Sequence, residues 1–410
     1  MNLRKASAAI LSTVVAASVI AGCSGVTPKS GPSTAGAATA PAGQKVDLEF
    51  WGWWSSATRM PTINKLIDQW NQKNPNIHVK YTFVPFDQIM TKYLASVAAG
   101  NPPAVVASPE LFTVSRRAQK KQAMDLSALG ADSLKDQYYP QLWNAAQFNG
   151  KAYALPWVGE TKYLYYNKDM FKEVGLDPEK GPVSWDDLQK FADKLDKKEG
   201  GKYTRIGFHP LLGNFSYNGW VWNAGGQLFK DEQPTINTDK NAQVLDWIKQ
   251  WTDRYGYQTY AAIKGNGSGG PQNPFMQGKV AMVAETATWE GELKKNAPNL
   301  KYGVVPVPTP DGKQHQNAAY SGGFAVEIPV GSKHPKEAFD FAKYWTTEAA
   351  VTWAQEQNDF PAYNKATETI TTPEFKRMAD NMKNTGLIPL PIYAPNDMDT
   401  VQASVDDVVA

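Results

Sequence analysis

Glu110, Glu160, Glu285 and Glu290 are the carboxylates that fall beside aromatic or glycine-rich stretches of this chain. Two carboxyl groups at a set separation, one with a raised pKa, could cut a glycosidic bond. The same groups can instead hold a sugar intact. Carboxylates and amides pair with its hydroxyl rim, while indole faces cover its apolar C–H face. Rings are plentiful, with 14 Trp, 18 Tyr and 16 Phe in 410 residues. A chain of mean hydropathy −0.46 has limited core in which to hide them, so some are expected to line a cleft. Trp53, Trp54, Trp157, Tyr165, Trp220, Trp222 and Trp289 are the candidate rings, with Glu110 and Glu160 as candidate acceptors. Trp157 and Glu160 suit a stack-and-acceptor pair. Tyr165 and Tyr166 point to opposite sides of one strand, so only one of them can face a ligand. Trp220 and Trp222 share a face if extended, but not if helical. Gly322 and Gly323 would let backbone amides approach a ligand closely.

Other chemistry finds no support. Residues 265–270 (GNGSGG) satisfy G-x-G-x-x-G, but Pro271 and Pro274 stand where the phosphate-binding helix should begin, so a loop is expected. There is no Walker A lysine pattern, no G-x-S-x-G elbow and no H-E-x-x-H. His78, His209, His315 and His334 are scattered without ligand spacing. Asp397-Met398-Asp399 lacks the glycine and the terminal glutamate of a calcium loop. No metal, no cofactor and no catalytic set is expected.

The elements that must position these residues begin after a leader. Arg4-Lys5, an apolar run over residues 6–19 and Ile20-Ala21-Gly22 describe a secretory signal of residues 1–22. The run is too short and too rich in small residues for a comfortable transmembrane span. Cys23 is the sole cysteine, which excludes an internal disulfide. Residues 23–44 are Gly, Ala, Ser, Thr and Pro with almost no large apolar residue, a flexible tether. The formal charge of +2 comes from 42 Lys+Arg against 40 Asp+Glu. Arg4 and Lys5 account for the excess, so no basic field for nucleic acid is implied and the partner is expected to be neutral.

Beyond the tether, Val46, Leu48 and Phe50 alternate with acids as a half-buried strand ending at Trp51-Gly52-Trp53-Trp54. Pro61 suits a first helical turn, with Ile63, Leu66, Ile67 and Trp70 on one face. Ile77, Val79, Tyr81 and Phe83 read as a second strand, residues 86–97 as a second helix and residues 104–107 as a buried third strand. Such a series predicts parallel strands with right-handed crossovers. Ligands of these sheets sit beyond the strands' carboxyl ends, here Trp53, Trp54 and the Ser108-Pro109-Glu110 turn. Pro156 and Gly159 interrupt two strand-like runs, which suggests a kinked passage between two sheets.

Residues 148–171 (FNGKAYALPWVGETKYLYYNKDMF) contain G-K-x-Y-x-x-P followed by x-x-Y-Y-N-K-D-x-F. This resembles the extracellular solute-binding proteins of ABC importers, in the carbohydrate-binding group that includes maltose-binding protein. The runs at residues 220–226 and 275–282, and the loop of Gly322-Gly323, resemble further markers of that family. Ile20-Ala21-Gly22-Cys23 resembles the bacterial lipobox. The resemblance implies an α/β, two-lobe periplasmic-binding-protein-like (type II) fold, hinged, each lobe a mostly parallel sheet flanked by helices. On that pattern residues 45–156 with 303–346 form the first lobe, and residues 157–302 with 347–410 the second. It also implies a carbohydrate ligand between the lobes and ABC permease subunits as partners. Lipidated Cys23 would tether the chain to the membrane in the bacterial cell envelope, and no catalysis is implied. A monomer is expected. Two departures stand out. Ala104 replaces the aspartate common after the proline pair, and the chain ends inside a helical pattern where the family usually continues, which suggests a shortened C-terminus. The rival readings are a secreted glycoside hydrolase and the same scaffold holding a polyamine or glycerol phosphate. The candidate loops carry few extra acids and few Arg or Lys, so a neutral hydroxylated ligand fits best.

Overall fold

The computed structural model describes residues 45–230, 233–265, 270–314, 319–320, 322–388 and 397–410. The expected leader and tether, Cys23, His315 and residues 266–269 of the glycine-rich run lie outside the described residues.

Two sheets form the framework of the molecule. Their strands are β1 (Val46–Gly52), β2 (Ile77–Phe83), β3 (Val105–Ser108), β4 (Ala154–Gly159), β5 (Lys162–Asn167), β6 (Met282–Thr286), β7 (Tyr302–Pro306), β8 (Gly323–Glu327) and β9 (Phe360–Pro361). The helices that matter here are α1 (Met60–Lys73), α2 (Ile89–Ala98), α3 (Val114–Gln119), α4 (Trp185–Leu195), α5 (Tyr217–Asn223), α6 (Asp239–Tyr255), α7 (Pro335–Thr346), α8 (Glu348–Gln357) and α9 (Pro373–Met382).

The first sheet has six strands in the order β9-β4-β8-β3-β1-β2. Val46, Leu48 and Phe50 are buried and Asp47 and Glu49 exposed, as period-two alternation requires. Pro61 occupies the first turn of α1, where its missing N–H costs nothing, and Ile63, Leu66, Ile67 and Trp70 form the buried face. β1 runs parallel to β2 and to β3. β8 and β9 pair antiparallel with β4, and β8 also with β3. The second sheet, β6-β5-β7, is antiparallel throughout. Parallel pairing within these two sheets is therefore confined to β2-β1-β3, less than the β-α-β series suggested.

Sheet membership departs from the expected grouping of segments. Trp157 to Gly159 remain in the first sheet, and the chain leaves it at Glu160-Thr161. β7 pairs with β5 in the second sheet instead of returning to the first. β9 belongs to the first sheet, and α8 packs on α7 and α1 beside it. The reason is backbone hydrogen bonding. β5 is wholly buried, so both of its edges need partners, and β7 supplies one of them. A short apolar strand carries no mark of the edge it will satisfy.

The chain goes directly from the first sheet to the second between β4 and β5. On the first-sheet side of that junction Gly323, Gly159 and Phe360 stand in register. Just beyond it the hydroxyls of Thr161 and Thr385 lie 2.6 Å apart, and residues 385–386 pair with residues 319–320 in a two-stranded sheet of their own.

Candidate ligand cleft

Trp53 and Trp54 leave the carboxyl end of β1 in a turn that Tyr81 fixes. The Trp54 N–H donates to the Tyr81 hydroxyl at 3.0 Å, and that hydroxyl lies 3.0 Å from the Trp54 carbonyl. Gly52 makes room for it, since a Cβ there would stand 2.7 Å from the tyrosine ring. Trp54 is buried between Trp157, Trp353 and Phe324, with the Arg59 guanidinium 5.7 Å from its ring. Trp53 stays half-buried, with its ring meeting Phe324 and Phe86 edge-on at 5.0 and 5.6 Å. Phe86 is 56% exposed. Its exposure and its contact with Trp53 make it a candidate wall residue that sequence reading placed in a helix face instead. Glu110, after β3, is partly exposed, and the Thr113 hydroxyl donates to its carboxylate at 2.9 Å.

Trp157 is fully buried, against Trp54, Trp345 and Trp353. The run ALPWVG of β4 is buried on both sides of the sheet, so its indole packs the core rather than offering a free face. Glu160, three residues on, behaves differently. It opens the crossing from β4 to β5, and the Lys162 ammonium donates to its Oε1 at 2.9 Å and to Asn214 Oδ1 at 3.2 Å. Gly322 lies beside it, for a Cβ there would fall 2.9 Å from Glu160 Oε2. Gly323, at φ +153°, would set a Cβ hard against the Val158 carbonyl. Both glycines are thus explained by close approach to β4 and Glu160.

Across the passage, Glu285 sits on β6 with only 4% exposure. Burial pushes its carboxyl up to about 7, against the pull of the Thr286 N–H and Lys162, while Glu160 adds to the rise. It lines a cavity of about 430 Å³ with Asn214, Ser216, Thr286 and Trp289. Trp289 is held from behind by Tyr165, whose ring meets it edge-on at 5.1 Å and whose hydroxyl donates to the carbonyls of Thr286 and Ala287. Tyr165 therefore braces the turn instead of lining the cavity. Glu290 is turned away, paired with Arg377 at 2.6 Å.

α5 decides the remaining pair. Ser216 caps it, its hydroxyl accepting from the Gly219 N–H, so Trp220 and Trp222 lie on different faces. Trp220 is fully buried among Phe208, Phe215, Trp185 and Trp247, with its indole N–H donating to the Pro210 carbonyl. Trp222 is also buried.

A continuous chain of neighbours thus runs from Trp53 through Phe324, Gly322, Glu160 and Lys162 to Asn214, Glu285 and Trp289. It combines partly exposed rings on one side with carboxylates, an amide and an ammonium on the other. The sequence profile of bacterial extracellular solute-binding proteins matches residues 54–352, which takes in the second sheet, most of the first and the path from Phe324 to Trp289. The chain belongs to that family.

Relatives of this solute-binding protein are informative by degree. The multiple sugar-binding protein of Streptococcus mutans is 26% identical over 303 residues, 71% of this chain and 69% of that one. The sn-glycerol-3-phosphate-binding periplasmic protein of Escherichia coli K12 is also 26% identical, over 73% of this chain and 70% of its own length. Among solved structures, CpMnBP1 with mannotriose bound superposes with a TM-score of 0.77 at 26% identity, over 89% of this chain and 95% of that one. The two-lobe, maltose-binding-protein-like α/β fold is thereby shown. Among the described residues no helix is long and apolar enough to cross a membrane, and no group of His, Cys, Asp and Glu could hold a metal ion.

Proposed function

We propose that this solute-binding protein captures a neutral oligosaccharide between its lobes and presents it to an ABC permease, breaking no bond. The observation that carries the reading is the path from half-buried Trp53 to the Glu285–Trp289 cavity, which pairs ring faces with hydrogen-bonding groups as a sugar requires. The proposed ligand wall comprises Trp53, Phe86, Glu110, Gly322, Glu160, Asn214, Glu285 and Trp289, with Trp54, Trp157, Tyr165, Trp220, Trp222 and Gly323 supporting it from behind. Sugar-binding relatives favour a saccharide, and mannotriose in the CpMnBP1 structure favours an oligosaccharide.

Docking on one lobe and closure of the other is the mechanism that suits a two-lobe fold. Closure draws only on contacts that exist in the closed form and not in the open one. Lipidation of Cys23 and the tether of residues 23–44 would keep the receptor at the outer face of the membrane, within reach of its permease.

The test is a thermal-shift screen with mannobiose, mannotriose, maltose and sn-glycerol 3-phosphate, followed by calorimetry. A ligand that binds only the native state raises the melting temperature, and at least one of the three sugars is expected to do so. A shift with the phosphate alone would replace the sugar reading by the phosphoester one. New reducing ends after incubation with the sugars would replace it by hydrolysis.

A further inference from the structure

A buried polar network stands behind Glu110. Arg117 and Glu327 are both buried, Nη2 donating to Oε1 at 2.6 Å and Nε to Oε2 at 2.8 Å. The same Nη2 donates to Ser108 Oγ at 3.1 Å and to the Glu110 carbonyl at 3.2 Å. Nη1 donates to Thr113 Oγ1 at 2.5 Å. Thr113 Oγ1 in turn lies 2.9 Å from Glu110 Oε2 and 3.0 Å from the Glu110 carbonyl. The guanidinium fork reaches β3, β8 and the turn after β3 at once, which a lysine ammonium could not do with fixed geometry.

Such a pair is weakly justified by stability, because well-packed apolar residues often replace a buried ion pair without loss. Its geometry does something else. Because Arg117 donates to Thr113 Oγ1, the hydroxyl proton must turn away from the guanidinium, and Glu110 offers the acceptors on the other side. We infer that Arg117 is a positioning residue for the ligand, orienting the Glu110 carboxylate through the Thr113 hydroxyl. This rests on the reading that Glu110 faces the sugar. Neither Arg117 nor Thr113 lies on the proposed wall.

Thr113→Val keeps the shape and removes the relay, whereas Thr113→Ser keeps the hydroxyl. Calorimetry with the sugar from the screen is expected to show Thr113→Val weaker by about tenfold, the worth of one hydrogen bond to a charged group. Thr113→Ser should bind like the wild type. In a Glu110→Ala background, Thr113→Val should weaken binding no further, which a general loss of packing would not predict. Ligand-free crystals should show the Glu110 carboxylate displaced in Thr113→Val and in place in Thr113→Ser. Should Thr113→Val not fold, Thr113→Ala takes its place in both measurements. Wild-type affinity in the Val variant, or an unmoved carboxylate, overturns the inference and leaves the receptor reading intact. If no sugar binds the wild type, the receptor reading falls, and the ligand-free carboxylate position alone decides the relay.

Discussion

Trp53 and Trp157 look alike in the sequence, yet truncating them should report different things. Trp53 is half-buried at the proposed wall, so Trp53→Ala should weaken sugar binding by several-fold or more at nearly unchanged melting temperature, read by calorimetry and thermal unfolding together. Trp157 fills core between three other indoles. Trp157→Ala should cost about 3–5 kcal/mol in denaturant unfolding. Glu285 gives a prediction in pH. Its carboxyl titrates near 7 in the folded protein because it is buried, but near its ordinary 4.5 when unfolded. The folded state therefore holds more protons between those values, so stability should fall as pH rises from about 4.5 to 7 and stay lowered above. Glu285→Gln should remove that part of the slope and gain stability at pH 8. An unchanged slope would show that another group carries it. Glu110 and Glu160 were proposed from the sequence because a carboxylate beside a strand end or a kinked passage has few core uses. Trp157 was read as a ligand ring and is core instead, because the apolar run of residues 154–158 forms a strand buried on both faces. Asn214 gave no such signal, for nothing in its type or neighbours tells that Lys162 will reach it.

At the scale of elements, β1, α1, β2, α2 and β3 are written plainly in the chain, because each pairs a clear period with a stop signal such as Asn74-Pro75 or Gly100. α4 is equally plain. Ser184 and Asp187 form a reciprocal capping box, and Ser184→Ala should lower stability by about 1 kcal/mol in urea unfolding. α5 was ambiguous because Tyr217 to Asn223 is rich in aromatic residues that suit strands as well. The Ser216 cap settles it as helix. The sheet membership of β7 was not legible, since pairing partners distant in sequence leave no trace in a five-residue strand. The start of β8 carries its own test. Gly323→Ala would set a Cβ against the Val158 carbonyl and force an unfavourable φ. A melting temperature lowered by several degrees is expected, and an unaltered one would mean that the β4–β8 approach relaxes freely.

For the whole molecule, the family was legible because the motif of residues 148–171 is joined by the further markers at residues 220–226, 275–282 and 322–323; the profile match bears out the family, and the CpMnBP1 superposition the two-lobe fold. The tether is a separate matter. Cys23→Ser is expected to move the mature protein from the detergent-rich to the aqueous phase in a cloud-point partition, whereas unchanged partition would argue against an acyl anchor. The ties on either side of the β4–β5 junction have a mechanical consequence. A lone strand between rigid halves lets them twist as freely as they bend, but here its neighbours are fastened to it before and after the crossing. Twist and sliding would tear the Thr161–Thr385 contact and the Gly323–Gly159–Phe360 register, which leaves a swing as the cheap motion. Whatever occupies the gap is thereby reported outward as one angle, and a single pair of distance labels placed across the mouth should follow the entire motion.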